Sequence, residues 1–269
     1  MIFDMEKERS KSNLLPEGFV PNKALGQNFL SNDAVIGAIL DAAQIEGKRV
    51  LEVGPGTGAL TQGLLQRSSF LAAVEKDGRL CELLRGRFGD ELHLLHADVL
   101  DADIPALMGS DPWHAVGNLP YYATTPIVLR LLSLLPESLT LMVQQEAADR
   151  FFAKPKGRVY GPVSVLTTCF YDATIAVRAP RSCFNPPPEV DSVVVRLARN
   201  NVPFDDAVSF LGWVKQAFSM RRKTLYNALQ KDDRLPEALQ SLGLAQDVRA
   251  EALAPQELLQ LYQRLQDRN

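Results

Sequence analysis

Short apolar runs alternate with helical patterns between about residue 47 and residue 144. Five runs predict strands: "RVLEVG", "SFLAAVE", "LHLLHAD", "WHAVGN" and "LTLMVQ". Apolar residues at helical spacing predict helices over residues 59–66, 79–87 and 125–135. Alternating units of this size are typical of a parallel sheet covered by helices on both faces. We therefore expect an α/β fold.

The pattern changes after residue 150. The stretches "GPVSVLTTCFYDATIAVRAP" and "DSVVVRLAR" are rich in β-formers and predict an antiparallel addition to the sheet. Three prolines in "CFNPPPEV" between them predict a stiff, extended loop. From about residue 202 the pattern is helical. The predicted organisation is an N-terminal leader (1–22), a main α/β domain (23–201) and a small all-helical domain (202–269).

Composition indicates a soluble, cytoplasmic protein. The chain has 269 residues, of which 46% are hydrophobic and 23% charged, and its net charge is −3. No apolar run approaches the ~20 residues of a membrane helix, and the N-terminus lacks the apolar core of a secretory signal. Cys81, Cys169 and Cys183 are scattered, which predicts buried thiols. His93 and His96 would lie on opposite faces of a strand, so we expect no metal site.

The stretch "LEVGPGTGAL" carries the first chemical signal. Gly54, Gly56 and Gly58 close the first strand and open the first helix, where the chain turns sharply and a ligand approaches the backbone. Their G-x-G-x-G spacing differs from the G-x-G-x-x-G of nicotinamide-binding proteins. No Lys-Ser or Lys-Thr pair follows the glycines, which excludes a triphosphate-binding P-loop.

Two acidic residues follow at successive strand ends. Glu75 lies 21 residues after Gly54, where a carboxylate can accept hydrogen bonds from ribose hydroxyls. Asp98 ends the third strand and is placed to accept from an adenine amino group. Each alone could be a helix cap or a turn residue; together, behind a glycine loop, they favour ligand contact. The combination resembles class I S-adenosylmethionine-dependent methyltransferases.

The stretch "GNLPYY" ends the fourth strand on the same edge of the sheet. We interpret it as the pocket for a planar amine such as N6 of adenine. The Asn118 side chain and the Leu119 carbonyl would accept its hydrogens, Pro120 would make the turn rigid, and Tyr121 would stack on the base. Phe184 could close on the opposite face. A base must leave its helix to reach such a pocket. The alternative is core packing by the tyrosines and loop anchoring by Phe184.

Six motifs together resemble the ribosomal RNA small-subunit adenine N6,N6-dimethyltransferase family. They occur in the family's order over about residues 23–230: "KALGQNFL", "LEVGPGTGALT", "VEKD", "GNLPYY", "FNPPPEVDS" and "AFSMRRKTLYNAL". The resemblance implies in-line methyl transfer from S-adenosylmethionine, with Asn28, Leu30 and Asn118 as further cofactor contacts. It also implies the substrate: two adjacent adenosines in a hairpin loop near the 3′ end of 16S ribosomal RNA, within an immature 30S particle. Each adenosine would be methylated twice, by an enzyme expected to be a monomer.

Two basic clusters then become candidates for binding RNA phosphates. The first contains Lys154, Lys156 and Arg158, and the second contains Arg221, Arg222 and Lys223. Each alone could be a solvated surface. The acidic net charge favours a structured particle as substrate over nonspecific RNA binding.

Three other functions stay open from the sequence. The nearest is a large-subunit ribosomal RNA methyltransferase of the antibiotic-resistance (Erm) type, against which "FNPPPEVDS" and "MRRKTLYNAL" argue. The second is a non-catalytic RNA-binding assembly factor, against which Glu75, Asp98 and "NLPY" argue. A DNA adenine methyltransferase is least favoured, because no separate sequence-reading domain is visible.

Overall fold

The computed structural model describes residues 18–22, 25–204 and 206–266. Most of the predicted leader, and the first two residues of "KALGQNFL", therefore lie outside the described residues. The strands are β1 (Phe29–Leu30), β2 (Arg49–Val53), β3 (Phe70–Glu75), β4 (His93–His96), β5 (Trp113–Asn118), β6 (Ser138–Gln144), β7 (Tyr171–Ala179), β8 (Phe184–Asn185) and β9 (Ser192–Arg199). The helices are α1 (Asp33–Ala43), α2 (Thr61–Arg67), α3 (Gly78–Phe88), α4 (Ile104–Met108), α5 (Thr124–Ser133), α6 (Gln145–Phe152), α7 (Pro162–Phe170), α8 (Ala207–Phe218), α9 (Leu225–Ala228), α10 (Leu235–Ser241) and α11 (Pro255–Gln266).

Seven strands form the main sheet, in the order β4-β3-β2-β5-β6-β9-β7. Strands β2 to β6 pair in parallel, and β9 runs antiparallel to β6. The predicted α/β fold with an antiparallel addition is confirmed. Since the parallel strands all end at one edge, Glu75 and Asn118, the last residues of β3 and β5, lie at that edge.

A second, two-stranded sheet was not predicted. Strand β1 pairs with β8, with Phe29 opposite Asn185 and Leu30 opposite Phe184. The Ser31 amide also donates to the Cys183 carbonyl at 2.8 Å. This pairing holds the N-terminal motif "GQNFL" against the start of the proline-rich loop, and two residues per strand leave no periodicity from which to predict it.

The prediction of a strand-rich segment from residue 161 to residue 180 is wrong in its first half. Residues Pro162–Phe170 form α7, and only Tyr171–Ala179 form a strand. Pro162 occupies the first helical position, where its fixed φ and missing N–H are tolerated. Seven of the nine residues in α7 are buried. Tertiary packing therefore outweighs the strand preference of its Val and Thr residues.

The chain divides into two compact units. The first comprises Met1–Ile127, Pro136–Ala148 and Thr174–Ala198, and the second comprises Val128–Leu135, Asp149–Ala173 and Arg199–Asn269. The helical C-terminal region was predicted from residue 202, but the second unit also takes in residues that we had assigned to the α/β domain. The physical reason is that α7 packs against α8 and α11.

Each unit has its own core. In the first unit, α1 begins after Asn32, whose side chain accepts from the Val35 amide, and buries Val35, Ile39 and Ala43 along one face. In the second unit, aromatic rings of Phe170, Phe204, Phe210, Trp213 and Tyr262 pack with centroids 5.2 to 6.3 Å apart. All three cysteines are free and buried, as predicted.

Candidate active site

One pocket of about 1120 Å³, counted out to its open mouth, lies at the carboxyl edge of the parallel strands in the first unit. All residues predicted to contact a cofactor line it: Asn28, Leu30, Gly54, Gly56, Glu75, Asp98 and Asn118. Leu119, Pro120 and Tyr121, predicted for the base pocket, line it as well. The fold thus brings together side chains that lie up to 93 positions apart in the sequence.

The glycine loop, which connects β2 to α2, lines the pocket. Gly54 and Gly56 have φ of 65° and 60°, in the left-handed region that disfavours side chains. A Cβ on Gly56 would also come within 3.2 Å of the Phe29 ring. The Gly56 amide donates to Glu75 Oε2 at 3.2 Å. The loop is therefore held close to the acidic rim of the pocket.

Glu75 is fixed by backbone donors. Its Oε1 accepts from the Asp77 amide at 2.9 Å and its Oε2 from Gly56. The residue is 7% exposed, and burial raises its pKa. Each carboxylate oxygen keeps a further lone pair, so this geometry suits a carboxylate that accepts from ligand hydroxyls.

Asp98 is held as an ionised acceptor. Lys76 Nζ lies 2.7 Å from its Oδ2, and the Leu100 amide donates to its Oδ1 at 2.9 Å. The hydrogen bond from Lys76 is the main cause that lowers the pKa of Asp98. The ion pair also neutralises the one lysine among the residues that line the pocket.

The two polar atoms of the Asn118 side chain differ in their hydrogen bonding. Its Nδ2 donates to the Asn28 carbonyl at 3.2 Å, and no described residue donates to its Oδ1. The Leu119 carbonyl likewise accepts no hydrogen bond from the described residues, while the Leu119 amide donates to Met142 at 3.1 Å. Two adjacent acceptors at the end of β5 are thus fixed by backbone contacts and available to a planar amine.

The two predicted aromatic residues lie in different environments. Tyr121 is half-buried at the pocket, and its hydroxyl lies 2.9 Å from Ser192 Oγ. Phe184 is 1% exposed, belongs to the hydrophobic core of the first unit and does not line the pocket. In this structure Phe184 packs as a core residue, the alternative that the sequence left open. A contact between Phe184 and a base stays a prediction, and it requires the Phe184 side chain to move.

Sequence reasoning missed the contacts that hold the N-terminal segment over the pocket. Gln27 Nε2 donates to Asp77 Oδ2 at 2.8 Å, and Arg79 Nη2 donates to the same oxygen at 2.6 Å. Arg79 is the main cause that lowers the pKa of Asp77 to about 2. Arg79 also donates to the Val20 carbonyl at 3.1 Å, so residues of the predicted leader pack on the first unit. The polar residues of "GQN" and "EKD" were the signal available in the sequence.

Thr57 and Glu52 were also missed. The Thr57 hydroxyl in the glycine loop is buried and has no hydrogen-bond partner among the described residues, although the residue lines the pocket. Glu52 lines the pocket too, is 1% exposed and accepts from Thr61 Oγ1 at 2.7 Å. A buried hydroxyl without a partner at a ligand-sized pocket indicates a group that a ligand completes.

Glu52 makes stability depend on pH. Burial, the largest cause, raises its pKa from 4.5 to about 8, and Glu75 contributes in the same direction. The pKa of Glu52 is thus higher in the folded protein than in the unfolded chain. Protonated Glu52 therefore contributes fully to the free energy of unfolding below about pH 4.5, and this contribution is lost as the pH rises through about 8. Glutamine does not titrate, so Glu52→Gln is expected to remove this pH dependence. The free energy of unfolding should lose a slope against pH of at most about 1.4 kcal/mol per pH unit.

The measurement is urea unfolding of both proteins from pH 5 to pH 9. The difference between them isolates Glu52, because the other groups titrate in both. A difference that does not change with pH would contradict this assignment.

The two basic clusters lie together in the second unit. Arg221 Nη1 donates to the Arg158 carbonyl at 2.8 Å, and its Nε donates to Glu251 Oε2 at 3.0 Å. All six cluster residues are exposed: Lys154, Lys156, Arg158, Arg221, Arg222 and Lys223. The charge of Arg221 is therefore partly neutralised by Glu251, and its side chain connects the two clusters. The other five residues form a cationic surface around it.

The described residues carry neither a metal-type cluster nor a membrane-type helix. Among them, no three His, Cys, Asp or Glu side chains are grouped so that they could hold a metal ion. None of their helices combines the length and apolar character that crossing a bilayer requires.

Comparison with known proteins identifies the fold and the family. A dimethyladenosine transferase from Plasmodium falciparum covers 88% of this chain with a TM-score of 0.70 at 24% identity, and 97% of its own chain is matched. The 23S rRNA methyltransferase ErmE covers 89% with a TM-score of 0.60 at 26% identity, and all of its chain is matched. Together with the glycine loop and the acidic strand ends, these likenesses define a class I methyltransferase fold.

The chain belongs to the ribosomal RNA adenine dimethylase family, whose model matches residues 18–267. Ribosomal RNA small subunit methyltransferase A of Bacillus licheniformis is 37% identical over 96% of both chains. The protein of that name from Geobacter sulfurreducens is 39% identical over 91% of this chain and 95% of its own. The protein is thus an S-adenosylmethionine-dependent methyltransferase.

The pocket fits this cofactor. Its two carboxylates and its glycine loop without a phosphate-binding lysine suit a nucleoside that carries a cation and no phosphate. The Thr57 hydroxyl, which has no hydrogen-bond partner among the described residues, can bond to such a ligand. When bound, S-adenosylmethionine supplies an activated methyl group on a sulfonium centre. The residues that line the pocket would hold the cofactor there.

Proposed function

We propose that this enzyme dimethylates N6 of two adjacent adenosines in the 3′-terminal hairpin loop of 16S ribosomal RNA. Its substrate would be an immature 30S particle in the cytoplasm, and it would act as a monomer. The observation that carries the proposal is a pair of acceptors in residues that line the pocket: Asn118 Oδ1 and the Leu119 carbonyl accept no hydrogen bond from the described residues.

Each residue of the site has a proposed role. Glu75 accepts from the ribose of the cofactor and Asp98 from its adenine, while Asn28, Leu30, Gly54 and Gly56 provide the surrounding contacts. Asn118 and Leu119 orient the amino group of the target base, and Tyr121 supports its ring. Since the methyl donor is already activated, positioning supplies much of the rate acceleration.

The cationic surface of the second unit would bind RNA backbone. Lys154, Lys156, Arg158, Arg222 and Lys223 are exposed and can each approach a phosphate. Arg221, which is paired with Glu251, would contribute less to affinity and more to holding the surface together.

Methylation of large-subunit RNA is the second candidate, and the likeness to ErmE is the observation in its favour. Its identity of 26% is below the 37% and 39% of the small-subunit relatives, which favours the first candidate. A non-catalytic assembly factor is disfavoured because the pocket is open and its acidic residues are intact.

The test is methylation of purified substrates. The enzyme is incubated with labelled S-adenosylmethionine and either immature small subunits or naked large-subunit RNA. We expect dimethyladenosine in the small-subunit RNA alone. Methylation of the large-subunit RNA alone would favour the second candidate, and cofactor binding without methylation of either would favour the assembly factor.

A further inference from the structure

Ser192 lies where the proline-rich loop returns to the sheet. It is the first residue of β9, and in the antiparallel ladder it stands opposite Gln144, the last residue of β6. The beginning of β9 is therefore at the same edge as the end of β5, where Asn118 lies. Ser192 is 1% exposed, so its position is fixed by the sheet and by packing.

The side chain of Ser192 has one partner. Its hydroxyl lies 2.9 Å from the Tyr121 hydroxyl, and no other described residue makes a hydrogen bond with it. Burial raises the pKa of Tyr121, while the hydrogen bond to Ser192 opposes that rise. A buried hydroxyl on a strand thus meets the far end of a half-buried ring at the pocket.

The near end of the Tyr121 ring is held independently. Tyr121 begins a 3₁₀ turn directly after Pro120. Thr124 Oγ1 closes this turn by donating to the Pro120 carbonyl at 3.1 Å and the Tyr121 carbonyl at 3.3 Å. With its Cα fixed by the turn and its hydroxyl fixed by Ser192, the long axis of the ring is held in one direction at the pocket.

We infer that Ser192 is a positioning residue, which fixes the long axis of the Tyr121 ring so that the target base stacks on a preorganised side chain. The inference rests on the proposed role of Tyr121. A ring that is already ordered loses less conformational entropy when a base binds. Ser192 touches neither base nor cofactor in this scheme, so it should affect RNA use and leave cofactor affinity unchanged.

The proline-rich loop that precedes Ser192 is itself held at both ends. The Asp191 carbonyl accepts from the Gln145 amide at 3.1 Å, and its Oδ1 accepts from the Arg181 amide at 2.9 Å. At its other end, the loop is held by the pairing of β1 with β8. Ser192 therefore connects a loop anchored at both ends to the turn that carries the base-binding residues.

The experiment is a double-mutant cycle. Ser192→Ala and Tyr121→Phe each remove the hydrogen bond from one side, and each is expected to lower kcat/KM for the RNA roughly three- to tenfold. The double variant is expected to be no worse than either single variant, because both changes remove the same bond. S-adenosylmethionine affinity, measured by calorimetry, should not change, and Ser192→Thr should retain activity.

Ser138→Ala is the matched control. Ser138 is 3% exposed, begins β6, and shares a hydrogen bond of 2.8 Å with His114 Nδ1. Its loss should lower stability as Ser192→Ala does and leave kcat/KM unchanged. In addition, the Tyr121 ring should become more mobile in Ser192→Ala, as measured by NMR order parameters, and its signal can be assigned among six tyrosines with the Tyr121→Phe variant.

Two results would overturn the inference. The first is a Ser192→Ala enzyme with wild-type kcat/KM and a Tyr121 ring as ordered as in the wild type. The second is an additive double variant, which would mean that Ser192 acts through the general fold. Either result leaves the proposed function intact if the wild-type enzyme methylates the RNA. A wild-type enzyme that binds S-adenosylmethionine but methylates no adenosine would refute the function itself, and the inference with it.

Discussion

Replacing Asn118 with alanine is expected to lower kcat for adenine methylation roughly 10²–10³-fold, the usual cost of removing one preorganised hydrogen-bond partner from a transition state. The free energy of unfolding should fall far less, by about 1 kcal/mol, because the substitution removes from the fold mainly the hydrogen bond to the Asn28 carbonyl. The measurement is single-turnover methylation at saturating S-adenosylmethionine, with urea unfolding in parallel.

Asn200→Ala provides the control for this prediction. Asn200 is also half-buried, and its Nδ2 donates to the Cys169 carbonyl at 3.1 Å, but it lies in the second unit. Because Asn200 Oδ1 also accepts from the Val202 amide at 3.3 Å, the control should lose at least as much stability and keep wild-type kcat. If Asn118→Ala lost no more activity than Asn200→Ala, the Asn118 amide oxygen would not be a ligand of the amino group.

The second large effect is expected from Gly117→Ala. Gly117 pairs with Val53 in the β2–β5 ladder, and a Cβ at this position would lie 2.6 Å from the Val53 carbonyl oxygen. The obstacle is backbone, which cannot rotate away, so the two strands must separate. We expect the free energy of unfolding to fall by about 1–3 kcal/mol, the usual cost of overpacking.

Separation of these strands should also weaken cofactor binding, because Gly54 and Asn118 directly follow the two paired residues. Gly86→Ala is the matched control, since a Cβ there would meet nothing within 4 Å inside α3. It is expected to stabilise the protein by about 0.5–1 kcal/mol. Urea unfolding and calorimetry measure both effects, and a Gly117→Ala protein as stable as Gly86→Ala would contradict the structure at this position.

Much of the catalytic edge was predictable because its signals are local. Glycines and acidic residues directly follow apolar strands, and parallel strands end at one edge, so Gly54, Glu75 and Asn118 were expected to meet. They do meet in one pocket. The family resemblance supplied Asn28 and Leu30, whose place depends on the short β1–β8 sheet and could not be derived from periodicity.

Other features depend on contacts between distant segments. The strand preference of residues 162–170 was outweighed by packing, which made α7 a helix. The burial of Phe184 and the hydrogen bond between Ser192 and Tyr121 arise from how the proline-rich loop is anchored. A sequence pattern identifies side chains that can bind a ligand or take part in a reaction. Whether a hydroxyl such as that of Thr57 has a hydrogen-bond partner among the described residues can be seen only in the folded chain.

We propose that this pocket dimethylates adenosines of small-subunit ribosomal RNA. The most direct test is mass spectrometry of that RNA from cells lacking the protein, complemented either with the wild-type chain or with the Asn118→Ala variant. We predict that two adjacent dimethyladenosines are absent without the protein, return with the wild-type chain and do not return with the variant. Dimethyladenosines that persist in the absence of the protein would contradict the account.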